Sequence, residues 1–279
     1  MAKTPATKEQ TAVAETETKV QLPAGYDGID LAADAESHNP TMTSQDVALP
    51  YIYVLQANSP QVNPGRAEFI EGAQASMFLN NVSGEVFDGR NEGFLFVPAF
   101  YERKLVEWVH RDNGGGWVAD WPVDSGILAK TRPDDKGKPR MPNGNVIVET
   151  AYHYGLMLNP ETEVWEQCVI AMKSTALKVN RKWNNAIVTS KIPGTDLQAP
   201  RFLFAYNLKT KMESKGENSW WNFDIDKVEE PVSVDVYKQA KMFSELIAAG
   251  AVIRVAESVT GEAIDPETGE IIDGKEPAY

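Results

Sequence analysis

Residues 172–191, MKSTALKVNRKWNNAIVTSK, carry five basic side chains and no acid, inside a chain whose formal net charge is −13. Wound as a helix, the stretch puts Ala176, Val179, Trp183 and Ile187 on one face and Lys178, Arg181, Lys182 and Asn185 on the opposite one. A helix of this kind must lay its apolar face on a core and leave its cationic face in solvent. Positive charge gathered in one place on an anionic protein suits a polyanionic ligand, and nucleic acid is the first candidate.

The overall acidity does not oppose that reading, because it sits at the ends. Residues 1–47 carry three basic and eight acidic side chains, and residues 224–279 carry five and thirteen. Residues 48–223 hold nineteen of each, and within them residues 173–215 hold nine basic and two acidic. The low isoelectric point therefore belongs to the termini and not to the centre.

The β-signals surround the basic helix. A strand is expected in the run Leu49–Leu55, followed by breaks at Asn58-Ser59-Pro60 and Asn63-Pro64-Gly65. Met77–Leu79 and Glu85–Phe87 flank Asn80–Gly84 as a hairpin. Residues 93–111 read as one long strand or two joined by a bulge, with Phe94, Phe96, Pro98 and Phe100 on one parity and Pro98 at an edge or kink. Gly114-Gly115-Gly116 makes a flexible turn, and residues 131–145 make an exposed, mobile Pro/Gly loop. Strands 146–158 and 163–172 pair through Asn159–Thr162 and lead into the basic helix, for which Ser174 is the candidate N-cap. Two further strands are expected at 201–208 and 218–225. A last helix over 234–249 follows, with Ser233 as N-cap, Gly250 as the stop, and Val236, Ala240, Phe243, Ile247 and Ala248 inward. Many strands with two helices predict a mainly β, α+β barrel or sandwich. Residues 1–47 are expected as a disordered acidic arm, 48–250 as a single β-rich domain, and 251–279 as a flexible acidic tail.

Signs of catalysis are weak. Only His38, His110 and His153 are present, none at metal spacing with another His or with the single Cys168. There is no phosphate-cradling loop, nucleophile elbow or dinucleotide fingerprint. Neither a cofactor nor a bound metal is expected. Asp120, Asp134 and Asp135 remain the carboxylates that a metal-dependent nuclease would use. With one cysteine, no apolar run of membrane length and no secretory leader pattern, a cytoplasmic location is expected.

Binding has the better residues. Grooves for single strands combine cations that follow phosphates with aromatic faces on which bases stack. Three stretches mix these types: Tyr101, Arg103, Lys104 and Trp108; then Lys178, Arg181 and Lys182; then Arg201, Tyr206, Lys209 and Lys211, with Trp220 and Trp221 beyond. Trp183 is assigned to the core. The seven acids of residues 257–279 suit a tail that competes for a cationic groove or docks on a partner.

The order of features resembles bacteriophage single-stranded DNA-binding proteins of replication and recombination modules. An acidic arm precedes LPYIYVLQANSP at 49–60; FLFVPAFYERKLVEW at 94–108 and MKSTALKVNRKWN at 172–184 follow; a helix and an acidic tail ending in an aromatic residue close the chain. Over residues 48–279 the resemblance implies an oligonucleotide/oligosaccharide-binding (OB) barrel core. It also implies binding of single strands without sequence preference, no catalysis, and groove roles for the cations and aromatics just named. It further implies contact of Glu270, Asp273, Glu276 and Tyr279 with polymerase or other replication proteins. The rival reading is a phage protein that inhibits or recruits a host protein through its β surface. A homodimer is left open.

Overall fold

The computed structural model describes residues 49–110, 113–135 and 137–250, together with the backbone of two short paired strands farther on. Within this range the elements are β1 (Ile52–Val54), β2 (Phe78–Asn80), β3 (Val86–Phe87), β4 (Phe94–Trp108), β5 (Trp117–Pro122), β6 (Arg132–Pro133), β7 (Pro139–Arg140), β8 (Val146–Leu158), β9 (Trp165–Lys173), α1 (Ala176–Thr189), β10 (Phe204–Lys215), β11 (Asn218–Pro231) and α2 (Val234–Ala248). Beyond them β12 (Ala263–Ile264) pairs antiparallel with β13 (Ile271–Ile272). The acidic arm and the rest of the tail, including Glu270, Asp273, Glu276 and Tyr279, lie outside the described residues.

The main sheet runs β11-β10-β4-β8-β7-β6, with β5 added on β4 and β9 on β8, and β1-β2-β3 form a second small sheet. All ladders are antiparallel. The main sheet curls into a half-barrel. Helix α1 touches both β9 and β11, although β8, β4 and β10 separate those strands in the sheet. The seam between the two edges is bridged by β1. Tyr51 forms a parallel bridge with Val169 of β9. Gln56 then uses its carboxamide like a strand backbone: Nε2 donates to the Trp221 carbonyl at 2.9 Å, and Oε1 accepts from the Trp221 N–H at 2.8 Å. The result is a mainly β, α+β fold of OB-like type with two helices.

Strand β4 is a single element with the expected kink at Pro98, which pairs with β8 alone. Three features accommodate it. The ladder to β10 stops at Phe96, the register to β8 shifts between Pro98 and Phe100, and the residue opposite Pro98 is Gly155. A Cβ on Gly155 would collide with the Val97 carbonyl and the Phe96 ring, so the kink is built with the smallest available partner. The bulge also flips parity. Phe94 and Phe96 belong to the core under α1, whereas Phe100 joins Val97, Ala99, Val106 and Trp108 in the core under α2. The expected common face for Phe94, Phe96 and Phe100 is therefore corrected.

Other local readings divide similarly. The 77–87 hairpin, the 146–173 hairpin and α2 form as expected, and the Ser233 Oγ accepts from the Val236 N–H. Ala248, expected inward, is exposed, while Val236, Ala240 and Phe243 are buried. At α1 the N-cap position is Thr175, with no side-chain cap, because Ser174 takes a positive φ of 49° where β9 turns into the helix. Residues 131–145 are not a plain loop. They carry the β6–β7 hairpin, locked by an Asp134–Arg140 ion pair at 2.9 Å.

Candidate nucleic-acid interface

Helix α1 divides as its sequence predicts. Trp183 and Ile187 are buried, and Ala176 and Val179 pack against the same core. Trp183 stacks on the imidazole of His153 with centroids 4.1 Å apart and meets Phe96 and Tyr206 edge-on. Around it lies a polar cluster. His153 Nε2 is 2.8 Å from Asn180 Oδ1, Asn180 Nδ2 reaches the Tyr101 hydroxyl, and Arg201 donates to Asn184 Oδ1 at 2.8 Å while lying over the Tyr101 ring. Burial, then the Arg201 charge, pushes the His153 pKa down to about 3 against its bond to Asn180, so the ring is neutral. The Asn180 oxygen can only accept, so Nε2 carries the proton. These groups fix the seat of α1.

On the outer face Lys178, Arg181 and Lys182 are exposed. Among the described residues no carboxylate lies within ion-pair distance of any of the three. That separates them from other cations the sequence singles out. Arg103 pairs with Glu149 at 3.3 Å. Lys104 pairs with Glu102 at 2.8 Å and Asp120 at 3.5 Å. Burial would lower the Lys104 pKa, but these acids outweigh it and hold it above its usual value. Both residues line a concavity with Glu102, Asp120 and Asp124, a wall that repels phosphate. Lys211 pairs with Asp224 at 2.7 Å. Lys209 is half-buried on β10, opposite Asp224 in the register.

The aromatics sort by burial. Trp108 is 1 % exposed and Tyr206 2 %, so both are core rings with no face for a base. Lys173 caps the Trp108 ring at 4.8 Å. Tyr101 and Arg201 belong to the cluster under α1 and serve to seat it. Trp108 and Tyr206 thus pack in the core, while Tyr101 and Arg201 are half-buried beside α1. Trp221 remains at the surface, with the Arg90 guanidinium 4.5 Å from its ring centroid.

A groove runs between α1 and the β10–β11 hairpin. Its middle is a cavity of about 160 Å³ lined by Lys178, Lys182, Trp183, Lys211, Asp224 and Lys227, among others. Lys227 pairs with Glu229 at 3.2 Å. At the start of α1 the groove widens to a cavity of about 600 Å³, where Tyr53, Gln56, Lys173, Trp220 and Trp221 converge. Among the described residues the two cavities together present six lysines (Lys138, Lys173, Lys178, Lys182, Lys211, Lys227) and two acids (Glu213, Asp224). Sequence reasoning named five of the lining residues, Lys178, Lys182, Tyr206, Lys211 and Trp221, as ligand-facing. It missed Tyr53, Gln56 and Lys227, whose placement depends on strands far apart in the chain; Lys173 was visible only as a member of the basic run.

Two of the three carboxylates considered for metal chemistry are engaged elsewhere. Asp120 holds Lys104 and the Trp117 indole, and Asp134 holds Arg140 and the Lys138 N–H. Among the described residues no three His, Cys, Asp or Glu side chains cluster as metal ligands, and no helix is long and apolar enough to cross a membrane.

Fold and groove together define a β-rich α+β protein of OB-like type with a cationic groove flanked by a helix and a hairpin. Residues 17–253 match the family of Pam3 phage gp34-like proteins. The chain belongs to that family and is a bacteriophage protein. No curated protein and no solved structure matches it.

Proposed function

We propose that this protein binds single-stranded DNA without sequence preference, in support of phage DNA replication or recombination in the host cytoplasm. The observation that carries the reading is the row of exposed cations Lys178, Arg181 and Lys182, with no carboxylate partner among the described residues, on a helix that borders a groove ending at Trp220 and Trp221. Phosphates follow the cations, and bases turn toward the groove. No group in the groove is assigned a catalytic role.

The test is fluorescence anisotropy of a labelled oligo-dT of about 30 nucleotides, longer than the roughly 4–16 nucleotides that one OB fold covers. Tight binding that weakens with salt and that duplex DNA does not displace is the expected result. Absence of binding at low salt, repeated with the chain ended at Ala256 to remove competition from the acidic tail, would refute it.

A further inference from the structure

We infer that the wide cavity at the start of α1 is a base pocket, taking one unstacked nucleobase of a bound strand against Trp221, which shares its sheet face with Phe223 and Ile225. The inference rests on the single-strand reading above and adds where a base is held.

Three observations carry it. The cavity, about 600 Å³, lies in the range of roughly 300–1,000 Å³ typical of small-molecule sites. Among the described residues no carboxylate lines it, in a protein of net charge −13. Its aromatic wall is preorganised. Gln56 clamps both backbone groups of Trp221, and Arg90, itself held by Ser76 Oγ at 2.8 Å, covers one face of the indole. A ring fixed in this way loses little freedom when a base stacks on it.

The remaining lining suits the backbone of the same nucleotide. The first turn of α1, which forms part of the wall, has neither a side-chain cap nor an acid. A phosphate placed there continues onto Lys178 and Lys182 one and two turns along.

Photocrosslinking tests the pocket separately from the strand. The full chain is irradiated with oligo-dT carrying 5-iododeoxyuridine, and in parallel with 5-iododeoxyuridine monophosphate, and the adducts are mapped by mass spectrometry. Adducts on Trp221 or Tyr53 with both probes are expected. Trp221→Ala should cut monophosphate labelling tenfold or more while leaving the salt dependence of oligo-dT binding unchanged. If the strand binds but its adducts fall elsewhere, the pocket is overturned and the single-strand reading stands. If the strand does not bind but the monophosphate labels the pocket, the pocket stands as a nucleotide site and the strand reading fails. Labelling of these residues by neither probe overturns the pocket.

Discussion

Replacing Lys178, Arg181 and Lys182 together by alanine isolates the electrostatic part of the proposed interface. Each of the three is exposed and has no carboxylate partner among the described residues, so each is available to displace a counterion from a phosphate. For single strands the logarithm of the binding constant falls with the logarithm of salt by about 0.7 per phosphate contact, so three lost contacts flatten the slope by about 2.1. Across a fourfold rise in salt, from about 50 to about 200 mM, the wild type should therefore lose roughly 20-fold more affinity than the triple variant. The fold should survive, because alanine on an exposed helix face is the best helix former; an unchanged circular dichroism spectrum and melting temperature check this. Arg103→Ala serves as the control. Arg103 is as exposed as a phosphate-binding cation needs to be, but Glu149 neutralises it, so the slope should not move. The assay is oligo-dT anisotropy over a salt series. An unchanged slope in the triple variant, or equal flattening by Arg103→Ala, would refute the reasoning, since acid-free cations would then not be those that meet phosphate.

Three stability predictions follow from the packing. His153 is neutral in the fold, with its pKa pushed down from 6.5 to about 3. The unfolded chain therefore takes up a proton there first, and stability falls by about 1.4 kcal/mol for each pH unit below about 6.5, levelling near pH 3. Urea unfolding of wild type and His153→Gln at about pH 7.5 and about pH 5 should show a weaker acid loss in the variant; equal losses would contradict the assignment. Gly155→Ala forces a Cβ against the Val97 carbonyl and the Phe96 ring and should cost at least about 1–3 kcal/mol by denaturant titration; a neutral effect would show that the β4 bulge relaxes freely. Gln56→Ala removes both hydrogen bonds to the Trp221 backbone and should cost about 1–3 kcal/mol. The Trp221 amide should then exchange faster by hydrogen–deuterium exchange, and an unchanged rate would mean the seam is closed by other contacts.

Local readings survived where the determining interactions were local. The 146–173 hairpin is set by a turn at Asn159, whose Oδ1 accepts from the N–H groups of Glu161 and Thr162, and α2 begins where Ser233 caps it. The basic helix was legible because its two faces alternate with the helical period. Readings failed where neighbours distant in sequence decide. Ser174 looks like an N-cap, but the exit from β9 turns its backbone to positive φ. Tyr206 and Trp108 sit beside basic residues in the chain, yet their side chains point into the two cores. The single parity assigned to Phe94–Phe100 breaks because Gly155, more than fifty positions away, admits a bulge at Pro98.

The sequence by itself determined that there is an amphipathic cationic helix, the hairpins that flank it and a β-rich class, because period and turn chemistry act over a few residues. Only the tertiary structure decided which cations stay available. Arg103, Lys104 and Lys211 look as basic in the chain as Lys178, Arg181 and Lys182, but strand pairing brings Glu149, Asp120 and Asp224 to the first three and, among the described residues, no acid to the others. Charge is read residue by residue, whereas neutralisation depends on distances of 3–4 Å that only the folded register sets.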